Sequence, residues 1–153
     1  MASGQPRLII PALGGVYKSF DELAVAALRL ACGALLVPHG MQKLFGMLDG
    51  PGLTGMAGFL DKIGYSPDMF WAVALGSLEF FGGILLALGL FTRPIAAAVV
   101  VFMVAAFFYH YPNGFLWTAK GFEVPVLWGA VALYFAIRGA GKLSLDHKLG
   151  KEF

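Results

Sequence analysis

The hydrophobic and polar positions of this chain alternate on a coarse scale, with four long apolar segments separated by short polar stretches. Each segment is about as long as a helix that crosses a hydrocarbon core of roughly 30 Å. The segments run over Leu23–Met41, Met69–Phe91, Pro94–Tyr111 and Ala119–Ile137. The pattern predicts an all-α protein, a bundle of four antiparallel transmembrane helices.

The chain outside these segments is short, which predicts a single membrane domain over residues 22–138 between tails at 1–21 and 139–153. The one longer connector, residues 46–68, is expected to lie on the outer side. Its glycines and proline at 50–55 predict a loop, and residues 56–63 could follow as a short helix lying in the membrane interface.

Composition supports a membrane protein, since 59% of the residues are hydrophobic and 13% are charged, against roughly 25% charged in soluble domains. A dispersed net charge of +2 argues against nucleic acid as a partner. The single cysteine, Cys32, excludes an intrachain disulfide. The three histidines, His39, His110 and His147, form no metal-binding constellation by spacing.

The second and third segments are joined by a tight turn, in which Thr92 is expected to cap the next helix and Pro94 to occupy its first turn.

Lysine and arginine counts on the two sides predict the orientation of the chain in the membrane. The side with both termini carries Arg7, Lys18, Arg93, Arg138, Lys142, Lys148 and Lys151, and the other side carries Lys43, Lys62 and Lys120. This bias predicts a multi-pass protein of the plasma membrane with both termini in the cytoplasm.

Two charged residues lie within the apolar segments, Arg29 in the first and Glu79 in the second. Each is costly in a bilayer without a partner. Small residues share their helix faces, which favours close helix packing. We therefore expect a buried Arg29–Glu79 ion pair, either as a structural clasp or as part of a functional site. The alternative is that Arg29 snorkels toward the headgroups.

Polar residues also collect where the helices end on the predicted outer side. His39 and Lys43 lie one helical turn apart, and His110 and Glu123 flank the last connection. Together they predict a ligand site. Each also has a simpler interpretation: His39 bonded to a carbonyl freed by Pro38, His110 in an aromatic belt, and Glu123 paired with Lys120.

Several short motifs accompany these residues in order along the chain. They are Arg29-x-x-x-Gly33, His39-Gly40-x-x-Lys43-Leu44-x-Gly46, Glu79-x-x-Gly82-Gly83, Gly89-Leu90-x-Thr92-Arg93-Pro94, Gly121-x-Glu123 and Gly139-x-Gly141-x-x-Ser144-x-Asp146. In these motifs the sequence resembles the DoxX family of small four-helix membrane proteins. Gly139-Ala140-Gly141-Lys142-Leu143 departs from the family's commoner Gly-Pro-Gly-Arg pattern.

The resemblance implies an accessory or quinone-interacting subunit of a membrane redox assembly, with the lipid bilayer and other membrane subunits, or further copies of the chain, as partners. No catalytic constellation is evident, so redox chemistry would require a partner. A quinone could use His39 and Lys43. A haem between His39 and His110 is disfavoured because Phe107 and Phe108 crowd that space. The alternatives are a small-molecule binder or transporter and a purely structural subunit.

Overall fold

The computed structural model describes residues 7–152, and the parts of the predicted tails at 1–6 and 153 lie outside the described residues. Between these limits the chain is helical and contains no strand, which confirms the all-α prediction. The helices are α1 (Gly14–Phe45), α2 (Gly52–Lys62), α3 (Asp68–Leu88), α4 (Thr92–His110), α5 (Glu123–Arg138) and the short α6 (Leu145–Leu149).

Helix α1 is longer than the first apolar segment. Its 32 residues correspond to about 48 Å at 1.5 Å per residue. Pro38 lies inside the helix and does not end it, although a proline removes one backbone hydrogen bond. The helix begins well before Leu23, at Gly14, so polar residues such as Glu22 belong to its first turns.

Helices α1 and α3 pack antiparallel at very short range. Gly33 of α1 faces Gly83 and Ala87 of α3, while Gly40 faces Phe80. A Cβ atom on Gly33 would overlap the Gly83 carbonyl oxygen and the Ala87 backbone nitrogen. Only glycine therefore allows this approach, which is the backbone-to-backbone packing expected between membrane helices with small residues.

Helix α3 contains a π-helical stretch, Leu78–Gly82, between two α-helical parts. Such stretches are rare in proteins, and many of those that occur lie at functional sites. Glu79 lies within it and is one of the few buried charged residues.

Helices α4 and α5 form the second antiparallel pair and close the bundle against α1. Two buried clusters fill the space between them, one around Leu86 and Phe135 and the other around Leu36 and Val99. Large apolar side chains such as Val101, Leu127 and Ile137 remain on the outer surface, as expected where helices contact lipid.

The connector after α1 is more helical than predicted. Helix α2 begins at Gly52, inside the stretch 50–55 that was expected to be a loop. It buries Met56, Ala57 and Leu60 against Ala72 of α3. This apolar face outweighs the helix-breaking tendency of the local glycines, because packing overrides propensity.

Two of the described helical segments are long and apolar enough to cross a membrane, Asp68–Leu88 and Thr92–Asn113. Helix α5 has 16 residues, which correspond to about 24 Å.

We call the end of the bundle where α1 begins and α5 finishes the terminal end. The opposite end, with residues 46–67 and 111–122, is the loop end.

Candidate functional site

The best-defined pair of charged side chains lies toward the loop end, between α1 and the π-helical stretch of α3. The Lys43 Nζ atom is 2.5 Å from Oε2 of Glu79. Glu79 is only 3% exposed, and the Lys43 side chain is 18% exposed. The ammonium also lies 5.9 Å from the ring centroid of Phe102 in α4, within the range of a cation–π contact. We call this pair the Lys43–Glu79 site.

Arg29 lies near the terminal end and uses main-chain partners instead. Its guanidinium donates hydrogen bonds to the carbonyl oxygens of Ala140 and Leu143, the latter at 2.7 Å, and its Nε donates to that of Ala87 at 3.5 Å. Arg29 is 4% exposed. A buried guanidinium therefore ties α1 to the end of α3 and to the chain after α5.

The expected Arg29–Glu79 ion pair is thus wrong, since each residue has a different partner. The physical reason is the register of α1 against α3. Gly33 packs beside Ala87 and Gly40 beside Phe80, so Arg29 lies level with Ala87 and Glu79 with Lys43. Glu79 and Ala87 are eight residues apart, about 12 Å along a helix. The snorkelling alternative is not observed either, because Arg29 is held inside the bundle.

The start of α4 is capped by a residue distant in sequence. The carboxylate of Asp146 accepts hydrogen bonds from the backbone nitrogens of Phe91, at 2.9 Å, and Thr92, at 3.0 Å. The Asp146 backbone nitrogen donates to the Gly89 carbonyl oxygen at 2.8 Å. Thr92 was expected to be the cap, but its buried hydroxyl has no hydrogen-bond partner among the described residues.

Gly89 makes this arrangement sterically feasible. Its φ of +70° lies in the left-handed region, and a Cβ atom there would come within 2.6 Å of Ser144 Cβ and 2.8 Å of Arg29 Cζ. Any other residue would push the C-terminal segment away from Arg29. We call residues 139–152, which include Asp146, together with Arg29 the terminal clamp.

The terminal clamp is a folded structure where the sequence predicted a tail. Ser144 caps α6, because its hydroxyl oxygen accepts a hydrogen bond from the His147 backbone nitrogen at 3.1 Å. Glu152 accepts one from the Ala140 nitrogen at 3.0 Å and lies 3.2 Å from Arg93. Residues 139–152 are therefore fixed against the helix ends along their length.

Glu22 connects the clamp to the first turns of α1. It accepts a hydrogen bond from the Lys142 backbone nitrogen at 2.8 Å, and its carboxylate lies 3.6 Å from the Lys142 ammonium. This backbone hydrogen bond, assisted by the Lys142 charge, lowers the pKa of Glu22 below its ordinary value.

The four residues expected to form an outer-side ligand site each contact a different partner. Lys43 pairs with Glu79, while the His39 ring packs edge-on against Trp128 of α5, with centroids 5.7 Å apart. His110 Nδ1 lies 2.6 Å from the Lys120 carbonyl oxygen. Glu123 accepts a hydrogen bond from the Trp117 backbone nitrogen at 3.1 Å.

His39 and Lys43 therefore remain together on α1, one turn apart, whereas His110 and Glu123 hold the connection between α4 and α5. The expected pairing of Glu123 with Lys120 is replaced by its bond to Trp117. His110 is otherwise interpreted as a residue of an aromatic belt. Its contact with the Lys120 carbonyl oxygen also fixes the loop that follows α4. In the described part of the chain, no group of three or more His, Cys, Asp or Glu residues could hold a metal ion.

The Lys43–Glu79 pairing and the Asp146 cap were missed in the sequence. Lys43 stands out by its spacing to His39, and Glu79 by its position in an apolar segment, but no local pattern joins them. Asp146 stood in the motif Ser144-x-Asp146 without an assigned role. The Ser-x-Asp spacing indicates the start of a helix, but it does not link Asp146 to Phe91 and Thr92.

Comparison with known proteins adds the family. The DoxX family model matches residues 24–112, more than half of the chain. The chain belongs to the DoxX family. This supports a membrane protein, and it confirms the resemblance found in the sequence motifs.

Two similar relatives come from Haemophilus influenzae, and each is described only as an uncharacterized protein. The first is 36% identical over 132 residues, covering 84% of this chain and 92% of the relative. The second is 32% identical over 87 residues, covering 56% of this chain and 57% of the relative. No solved structure matches the chain.

Proposed function

We propose that this DoxX-family protein is an accessory, quinone-interacting subunit of a membrane redox assembly, and that the Lys43–Glu79 site binds the quinone headgroup. The observation that carries the proposal is the buried ion pair itself. Charges within a membrane helix bundle are costly and commonly mark substrate or proton pathways. The π-helical stretch that contains Glu79 supports the same conclusion.

The chemistry of the site suits a planar ligand with carbonyl oxygens. The Lys43 ammonium has three N–H donors, and within the described chain its hydrogen bond goes to Glu79 Oε2. The second carboxylate oxygen, Oε1, accepts no hydrogen bond from the described residues. A headgroup could therefore accept from Lys43, and its hydroxyl form could donate to Glu79.

The surroundings of the site provide apolar contacts for a ring. Phe102 lies beside the Lys43 ammonium, and one turn earlier on α1 the exposed His39 ring packs on Trp128. The ring nitrogens of His39 have no hydrogen-bond partner among residues 7–152. They offer a second polar contact at the same helix face. Ligand sites of this kind combine apolar walls with a few polar groups.

The proposal includes a topology of four membrane crossings with both termini in the cytoplasm of a plasma membrane. It is supported by the excess of Lys and Arg at the terminal end and by the length of α1, which exceeds a hydrocarbon core. The Lys43–Glu79 site would then lie in the outer half of the membrane.

A labelling experiment tests the topology. In a Cys32→Ser background, a membrane-impermeant thiol reagent should label a cysteine introduced at Asp49 in intact cells and should not label one at Lys148. The reverse pattern would invert the orientation and move the site to the cytoplasmic half.

Quinone retention tests the function. The protein is reconstituted in lipid nanodiscs with a short-chain ubiquinone analogue, and native mass spectrometry measures its occupancy. We expect Glu79→Gln and Lys43→Met to lower occupancy about tenfold, the effect of losing one charged hydrogen bond of roughly 1.4 kcal/mol. Lys62→Met, a matched change on the exposed end of α2, should leave occupancy unchanged. Equal occupancy in all four proteins would contradict the proposal.

The buried ion pair also favours a second candidate function, a proton-linked carrier of small molecules. Proteoliposomes with an internal pH dye separate the two. A carrier should acidify or alkalinise the lumen when a solute gradient is imposed, and Glu79→Gln should abolish the signal. A quinone-binding accessory subunit should give no solute-dependent proton movement alone. A purely structural subunit should show neither quinone retention nor proton movement.

A further inference from the structure

The connection between α4 and α5 ends in a loop closed by hydrogen bonds, which we call the 114–122 loop. Polar side chains bind its backbone: His110 Nδ1 lies 2.6 Å from the Lys120 carbonyl oxygen, to which Asn113 also donates, at 3.1 Å. Glu123 accepts a hydrogen bond from the Trp117 backbone nitrogen at 3.1 Å. These contacts explain His110 and Glu123, which the Lys43–Glu79 site does not use.

Backbone hydrogen bonds also join the two ends of the loop. The Phe122 nitrogen donates to the Gly114 carbonyl oxygen at 3.1 Å, and the Glu123 nitrogen donates to that of Phe115 at 3.1 Å. The rings of Tyr111 and Phe122 stack with centroids 5.6 Å apart. Closed in this way, the loop cannot extend far from the ends of α4 and α5.

The loop also carries an apolar segment that is exposed. Phe115 and Leu116 are each 58% exposed, and Trp117 is 65% exposed. Three consecutive large apolar side chains are thus exposed on a loop whose backbone is bound by several polar side chains. Exposed apolar patches of this kind mark contact with a partner or a membrane.

We propose that Phe115, Leu116 and Trp117 insert into the boundary between headgroups and acyl chains of the membrane that α4 crosses. The proposal rests on the membrane crossing proposed above. The loop follows directly after Thr92–Asn113, a segment long and apolar enough to span a membrane. Its closed ends keep the apolar side chains at the level where that segment leaves the hydrocarbon core.

The residue types also favour lipid over a protein partner. Tryptophan is enriched at membrane interfaces, because its indole combines a large apolar surface with one N–H donor. Lys120, in the same loop, can keep its ammonium among the headgroups while its stem covers apolar surface. A lipid surface satisfies all four side chains without a shaped complementary partner.

Fluorescence quenching tests this insertion in the full chain. Trp71→Phe and Trp128→Phe leave Trp117 as the single tryptophan, and the protein is reconstituted in phosphatidylcholine vesicles. Lipid brominated near the headgroup end of its acyl chains should quench roughly half of the Trp117 emission, as expected for apolar groups about 5–10 Å into the interface. Aqueous iodide should quench it weakly.

Further variants and an independent measurement show whether a result contradicts the insertion of the loop alone or the membrane crossing as well. Phe115→Ser with Leu116→Ser should move Trp117 toward water and increase its quenching by iodide, whereas Leu48→Ser, an exposed apolar position in another loop, should not. Flotation of the vesicles on a density gradient reports membrane insertion separately.

In one outcome, the protein floats while Trp117 is quenched by iodide and not by brominated lipid. That result overturns this proposal alone. Trp117 protected from both quenchers also overturns it, because a protein then covers the loop. Protein that fails to float overturns both this insertion and the membrane crossing.

Discussion

The two ends of the bundle bury their charges in different ways. In the terminal clamp, the Arg29 guanidinium is held by main-chain carbonyl oxygens, and the Asp146 carboxylate by main-chain nitrogens. At the Lys43–Glu79 site, two charged side chains hold each other. The partners in the clamp are fixed by the fold itself, whereas those at the site are side chains that can change rotamer.

This difference separates a structural role from a functional one. Main-chain groups cannot leave without unfolding the segment that carries them, so the clamp binds the same partners throughout. A side-chain pair can open to admit a ligand or a proton. Opening is unfavourable by itself, because it leaves two charges without a partner inside the bundle. Buried polar groups with all partners satisfied rigidify a fold, and we therefore assign stability to the clamp and ligand binding to the Lys43–Glu79 site.

The largest expected effect is the loss of the clamp's guanidinium. Arg29→Met leaves the Ala87, Ala140 and Leu143 carbonyl oxygens without their donor, and we expect a loss of about 3 kcal/mol in unfolding free energy, since each unsatisfied buried group costs about 1–3 kcal/mol. Thermal unfolding in detergent measures it. Arg138→Met, a matched change at a largely exposed pair, should cost less than about 1 kcal/mol. Equal losses in both variants would remove the distinction between the two ends.

The next effect is the coupling within the Lys43–Glu79 pair. Glu79→Gln and Lys43→Met should each lower the unfolding free energy. The loss in the double variant should be smaller than the sum of the two single losses by about 2 kcal/mol, because removing both charges leaves no unpaired charge in the bundle. Chemical unfolding of the four proteins gives the coupling free energy. The same cycle on Arg29 and Glu79 should be additive, and a coupling there of similar size would contradict the observed register.

A smaller effect is expected for the cap on α4. Asp146→Ala removes the acceptor for the Phe91 and Thr92 nitrogens and should cost about 1–2 kcal/mol, the usual range for a lost helix cap. Limited proteolysis should show faster cleavage within residues 139–152. Asp68→Ala, which changes an acidic residue at another helix start with no side-chain cap bond, serves as the control. Equal protection of the C-terminal segment in Asp146→Ala would mean that the clamp does not depend on this carboxylate.

The sequence could predict the helical class, because apolar runs of about twenty residues are a strong signal that needs no long-range information. It also indicated that Gly33 and Gly83 lie on packed faces. What it could not predict is the register between helices. Glu79 and Ala87 are eight positions apart on α3, and apolar patterning does not decide which of the two lies beside Arg29.

The terminal clamp escaped prediction for a related reason. Its bonds join Arg29 and Asp146 to main-chain groups that every residue carries, so residue types alone do not reveal them. The roles of His110 and Glu123 were obscured in the same way, since both bind backbone atoms of the 114–122 loop. Polar residues near a helix end indicate a ligand site by their type, whereas the partners of His110 and Glu123 are local peptide groups.

The smallest expected effect is a pH dependence at the terminal clamp. The Lys142 backbone nitrogen, which donates to Glu22, lowers the pKa of this carboxylate in the folded protein. The stability that Glu22 contributes is therefore present above its ordinary pKa and is lost as the pH falls toward the lowered folded value, because the unfolded chain binds the proton first. Thermal unfolding in detergent, followed from neutral pH into this acidic range, should show Glu22→Gln converging with the parent protein at the acidic end. A Glu22→Gln curve that stays parallel to that of the parent protein would show that the charge of Glu22 adds nothing to the clamp, and the attachment of Lys142 to α1 would then depend on the neutral hydrogen bond alone.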